Sequence, residues 1–230
     1  MKRVITHRSN FVWLLIALLF LLFSDAMFAQ LDSHQGQRLI NITLMLTIVA
    51  AVWSVETSQG RWLNWKLGMT FIIAALMIGD SIIESNFLAI YQLTSSFIFL
   101  MFSLLLCWRQ VMFSGTIDTN KVIGAICIYI LIGLIWSFGY LIVEHLFPGS
   151  FKGLEDSLWQ HNLEELIYYS LVTLTTLGYG DITPQQPLAQ FLAYMEAITG
   201  IFYTTVLVAS LIGMRLAHYS EGISQKTRGE

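Results

Sequence analysis

Apolar runs of membrane-crossing length recur along this chain of 230 residues. A helix needs roughly 20 mostly apolar residues to cross the hydrocarbon core of a bilayer. Six stretches come close: 11–30, 39–55, 67–83, 87–108, 122–146 and 188–216. In lipid the backbone must satisfy its own hydrogen bonds, so such runs are read as helices. Charge supports this, because only 12% of residues are charged and 56% are hydrophobic. Soluble domains carry about 25% charged residues, and half of that cannot cover a water-facing surface. The expected fold class is an all-α integral membrane protein. The net charge of -3 gives no argument for a nucleic-acid partner, and membrane lipids are the expected surroundings. Cys107 and Cys127 each lie within an apolar run and make neither a disulfide framework nor a metal pair.

The segment 162–174 is apolar but too short to span, and glycines follow it. That suits a re-entrant helix, with Asn162 as its cap and Glu165 at the third helical position. Next comes Thr175-Thr176-Leu177-Gly178-Tyr179-Gly180-Asp181, then Pro184 and Pro187, then the apolar run from Leu188. The stretch holds no nucleophile beside a base, no metal-ligand spacing and no phosphate loop, so no enzyme is expected. Gly178 and Gly180 alternate, and glycine accepts positive φ without a Cβ clash. A strand with such glycines turns successive carbonyls to one side, where an ordinary strand alternates them. A column of carbonyls can replace the water shell of a bare cation. Irregular backbone at membrane depth is tolerated only where protein or a water-filled cavity encloses it, which favours an oligomer.

Thr-Leu-Gly-Tyr-Gly-Asp, residues 176–181, resembles the selectivity-filter signature of potassium channels, in which four such loops meet on a fourfold axis. Leu177 stands where that family most often has Val. The resemblance implies a tetrameric protein with six transmembrane helices, a re-entrant pore helix and a selectivity filter. It implies passive, potassium-selective conduction by a homotetramer, with K⁺ as permeant ion and no cofactor. Backbone carbonyls of Thr176, Leu177, Gly178 and Tyr179, with the Thr176 hydroxyl, would cage dehydrated K⁺, and Gly180 would complete the strand. Tyr179 would point away from the axis and pack behind the filter.

Around the filter, Thr175, Asp181, Tyr168, Tyr169 and Glu196 are candidate supports. Tyr168-Tyr169 stand where many relatives have paired Trp, and Val172 where some have a Glu that pairs with the Asp after the filter. Asp181 is therefore expected to bond a pore-helix tyrosine, Tyr168 being better placed by spacing. Glu196 is the one carboxyl in the middle of the last apolar helix, where ionisable groups usually face a partner. Ser170, Thr173 and Thr175 are its expected partners, a backbone group being the alternative. Gly200 matches the spacing of the inner-helix hinge in simple bacterial potassium channels. With no Pro-x-Pro kink, bending would use Gly200 or Gly213; close helix packing is the other reading of Gly200. Ile201 and Thr204 are candidates to line the cavity.

Ten of the twelve Lys and Arg residues fall on one side if both termini are cytoplasmic, leaving Arg38 and Lys152 outside. The expected location is thus a plasma membrane, the bacterial inner membrane, crossed several times, with 147–187 facing out. Glu144, Glu155, Asp156, Glu164, Glu165 and Asp181 would surround the outer mouth, where they raise the local cation concentration or equally form a solvated polar loop. Residues 1–29 read either as a cleaved signal peptide or as a first spanning helix, which we favour. Arg109–Lys121 is the expected boundary between a sensor-like domain, 1–110, and a pore domain, 121–218. The fourth stretch, Phe87–Trp108, has no basic residue, so a steep response to voltage is not expected. Asp80 and Glu84 share a face of the third stretch, as a hydrated helix end or as an ion or proton sensor. Two other functions compete: a pore-derived potassium uptake subunit, and a non-conducting sensory subunit.

Overall fold

The computed structural model describes residues 10–28, 68, 71, 86–113, 119–154 and 159–228. Its elements are α1 (Asn10–Phe28), α2 (Asn86–Phe113), α3 (Thr119–Leu146), β1 (Phe151–Lys152), α4 (Trp159–Leu174), β2 (Thr183–Pro184) and α5 (Pro187–Arg228). The stretches expected at 39–55 and 67–83, with Asp80 and Glu84, lie outside the described residues apart from Gly68 and Phe71. Two described segments, Leu93–Val111 and Asn120–Leu146, are long and apolar enough to cross a membrane, and Phe11–Ser24 is a shorter apolar helix.

One expectation is corrected: the short helix begins at Trp159, so Asn162 lies inside its first turn and is not the cap. The described chain is mostly helical, as expected. β1 and β2 form a small antiparallel pair, with Phe151 opposite Pro184 and Lys152 opposite Thr183.

Apolar burial does little to join helices in lipid, where close backbone approach and hydrogen bonds do the work. α3 is the hub, and its small residues mark the contacts. A Cβ on Gly124 would lie 2.8 Å from Val111 and 3.0 Å from Phe11, so α1, α2 and α3 meet there. The amide of Phe11 donates to Asn120 Oδ1 at 3.4 Å, and Cys127 Sγ donates to the Phe11 carbonyl at 3.6 Å. Leu14, Leu18 and Leu21 bury one face of α1 beside this seam. Further along α3, a Cβ on Gly133 would lie 2.9 Å from Leu171, which brings α4 against α3. α5 closes the other side of α4 and starts at Pro187, whose fixed φ and missing N–H suit a first helical position.

Candidate functional site

An α-helix leaves its last four carbonyls without helical partners. At the end of α4 all four are occupied. The Leu171 carbonyl accepts from Thr175 N at 3.1 Å and from Thr175 Oγ1 at 2.7 Å. That of Thr173 accepts from Thr176 N at 2.9 Å. That of Leu174 accepts from the Tyr129 hydroxyl of α3 at 3.2 Å. The Val172 carbonyl takes two consecutive amides, Leu177 N at 2.9 Å and Gly178 N at 3.4 Å.

That double contact fixes the shape of the segment after α4. In a regular strand the ladder groups of neighbouring residues face opposite ways. Here two neighbouring N–H groups converge on one acceptor, so the carbonyl side of the chain is turned away from the helix end. The dihedrals agree. Positive φ recurs at alternate residues: 61° at Thr176, 58° at Gly178 and 80° at Gly180. The two glycines were expected to take this conformation, but Thr176 was not. A β-branched residue in the left-handed region is a genuine outlier, and such strain collects at functional sites. Its signal in the sequence was weak, because nothing distinguishes Thr176 from Thr175.

Behind α4 lies the second part of the site. Glu196, on α5, is fully buried. Its Oε1 lies 2.5 Å from Ser170 Oγ, and its Oε2 accepts from the Tyr140 hydroxyl of α3. Ser170 Oγ also lies 2.7 Å from the Gly133 carbonyl. Of the three expected partners, Ser170 is the one that Glu196 meets. Thr175 turns to the end of α4, and Thr173 bonds Tyr169. Sequence reasoning missed Tyr140, although a hydroxyl in so apolar a helix needs a partner. Tyr140, Tyr169 and Phe151 pack edge to face with ring centroids 5.2–5.5 Å apart. One turn beyond Glu196, a Cβ on Gly200 would run into the Leu174 carbonyl. Gly200 is thus a close-packing position. α5 runs through it and Gly213 without a break.

Beyond the strand Asp181 meets Tyr168, as its spacing led us to expect: the hydroxyl donates to Oδ2 at 2.7 Å. This bond holds the Asp181 carboxyl below its ordinary pKa and raises that of Tyr168. Gly153, with φ of 101°, sits so close to the Asp181 carbonyl that a Cβ would collide with it. The β pair therefore anchors the segment that leaves the strand. Glu144 has a structural task that its charge did not announce. Its two oxygens accept from Gly149 N at 2.7 Å and Phe151 N at 3.0 Å, closing the turn after α3. Ile201 is exposed in the single chain, and the exposed Thr204 donates back to the Gly200 carbonyl at 3.0 Å. Tyr179 is 67% exposed, so its ring does not pack on its own chain.

Comparison with known proteins places this arrangement. The ion channel family model matches residues 125–215, from the first turns of α3 through most of α5. A voltage-gated potassium channel of Aeropyrum pernix is 33% identical over 92 residues, 40% of this chain and 27% of the relative. An inward rectifier potassium channel of Paramagnetospirillum magnetotacticum is 29% identical over 105 residues, 44% of this chain and 31% of the relative. A two pore potassium channel of Oryza sativa subsp. japonica is 31% identical over 65 residues, 28% of this chain and 14% of the relative. The matches thus span less than a third of the length of each of these relatives.

Proposed function

With residues 125–215 belonging to the potassium channel pore family, we propose that this protein is a homotetrameric channel that conducts K⁺ passively and selectively across a membrane. Carbonyls of Thr176, Leu177, Gly178 and Tyr179, with the Thr176 hydroxyl, form the cages for the dehydrated ion. The observation that carries this reading is the alternating positive φ at Thr176, Gly178 and Gly180. With both neighbouring amides on the Val172 carbonyl, this backbone presents oxygens rather than N–H groups to an axis. One chain supplies one strand, and a closed ring needs four. Exposure of Leu177 and Tyr179 leaves room for neighbouring copies to pack against them. The bonded end of α4 contributes through its dipole, whose negative end favours a cation in the cavity below. Ile201 and Thr204 line that cavity. The chain has both termini in the cytoplasm of a bacterial cell, and 1–110 is a sensor-like domain set against the pore domain 121–218.

Gating is not strongly voltage-driven in this proposal. A charge crossing the field is worth about 2.3 kcal/mol per 100 mV, and Phe87–Trp108 has no basic residue to move. Purified protein in liposomes with a K⁺ gradient is the test. K⁺ flux blocked by Ba²⁺, with Na⁺ excluded and little change between positive and negative potentials, is expected. Absence of flux would favour a non-conducting sensory subunit. A steep activation curve would place a sensor outside Phe87–Trp108.

A further inference from the structure

The contacts of Glu196 can be tested by counting protons. Three oxygen pairs lie at hydrogen-bonding distance in one buried chain. The Tyr140 hydroxyl meets Glu196 Oε2, Ser170 Oγ lies 2.5 Å from Glu196 Oε1, and the same Oγ lies 2.7 Å from the Gly133 carbonyl. A serine hydroxyl carries one proton, an ionised carboxylate none and a peptide carbonyl none. With Glu196 ionised, two protons serve three contacts, and Ser170 leaves either the carboxylate or the Gly133 oxygen facing bare lone pairs. Tyr140, Ser170 and Glu196 are all fully buried, so bulk solvent does not supply the missing proton.

A proton on Oε1 removes the deficit. Tyr140 then donates to Oε2, Oε1–H donates to Ser170 Oγ, and Ser170 donates to the Gly133 carbonyl. Each contact has one donor and one acceptor, in a single direction from α5 through α4 to α3. The titratable groups that face Glu196 are Tyr140 and Tyr129 on α3 and Tyr169 on α4. All are tyrosines, and among the described residues no cation pairs with Glu196. An unpaired carboxylate at such depth is costly.

We infer that Glu196 is held as a neutral carboxylic acid, and that its proton positions α4, and with it the filter strand, against α3 and α5. This rests on the pore reading for its consequence but not for its chemistry. Ionisation of Glu196 would leave one contact without a proton and loosen α4 from one of its two supports. Glu196 is a positioning residue and touches no ion.

Infrared spectroscopy of the full chain in lipid, prepared in H₂O and in D₂O, is the direct test. A protonated-carboxyl band that shifts on deuteration, with a component lost in E196Q, is expected, and the absence of that component from the parent overturns the inference. Function adds a second reading. Gln offers a carbonyl to Tyr140 and an N–H to Ser170, the pattern of the neutral acid, whereas a carboxylate accepts from both. E196L should lower K⁺ flux about tenfold, the effect of one buried group left unsatisfied, and E196Q should restore most of it. An E196Q as impaired as E196L contradicts a neutral Glu196. Should E196L fail to fold, the band and E196Q still decide. A parent with the band but no flux refutes the channel and keeps the proton. Flux without the band does the reverse.

Discussion

The front and the back of α4 are built from different materials. In front, the strand at 175–181 is held by backbone groups, its residues are exposed in the single chain, and three of them have positive φ. Behind, Glu196, Ser170 and Tyr140 make a side-chain network that is buried completely within one subunit. The front has its conformation but not its packing, and the back has both. A change in front should therefore be felt in the proposed ring, while a change behind should be felt in the single chain itself.

The largest effect is expected in front, from G178A or G180A. Neither added methyl meets an atom within 4 Å of its own chain. Their cost is one of backbone angle: φ of 58° and 80° costs an L-residue about 1–2 kcal/mol. A ring multiplies this by its number of copies. We expect loss of K⁺ flux, or of its preference over Na⁺, with the helical circular dichroism of the subunit unchanged. Normal flux and selectivity in both variants would break the filter assignment and the comparison with it.

G200A tests the back, and it separates packing from hinge. The added Cβ would meet the Leu174 carbonyl at the end of α4, and overpacking of this kind costs about 1–3 kcal/mol. The expected outcome is a lower melting temperature of the purified subunit, together with reduced flux. A variant of unchanged stability whose gating alone is altered would favour the hinge.

Legibility in the sequence follows the same division. The segment 175–181 was readable as irregular backbone because a backbone requirement selects a residue type, and Gly178 and Gly180 announce theirs. The bond from Tyr168 to Asp181 was readable from spacing along one helix and its exit. Tyr140 was not, because it comes from a different helix, and no periodicity within α3 states which turn faces Glu196. Gly200 was half legible: spacing found the position, but only the approach of the Leu174 carbonyl gave its reason. The start of α4 was misread because Asn162 has the chemistry of a cap, while Trp159-Gln160-His161 continue the helix before it. Glu144 was read by its charge and used for its two acceptors, which no charge count reveals.

The smallest effect is expected at the junction of the two regions, from Y168F. Tyr168 is on α4, Asp181 ends the segment 175–181, and their bond is exposed. The hydroxyl lowers the Asp181 pKa from 3.8, the backbone amide of Ile182 adding to it. A depressed carboxylate stabilises the folded state above its ordinary pKa, and that contribution disappears as pH falls through the lower folded value. The parent should therefore keep the bond at pH 3.8 and lose it only in more acid solution. Y168F removes the first cause and moves the Asp181 midpoint up towards 3.8, leaving the bond to Ile182 N in place. Acid titration of K⁺ selectivity, or of the Asp181 carboxyl carbon by NMR, measures the difference. Because the site is open to water, the shift should be modest and flux at neutral pH nearly unchanged. Coincident midpoints for parent and variant would mean that this bond does not hold Asp181, and that the end of the segment is fixed by Ile182 N, Gly153 and the β pair.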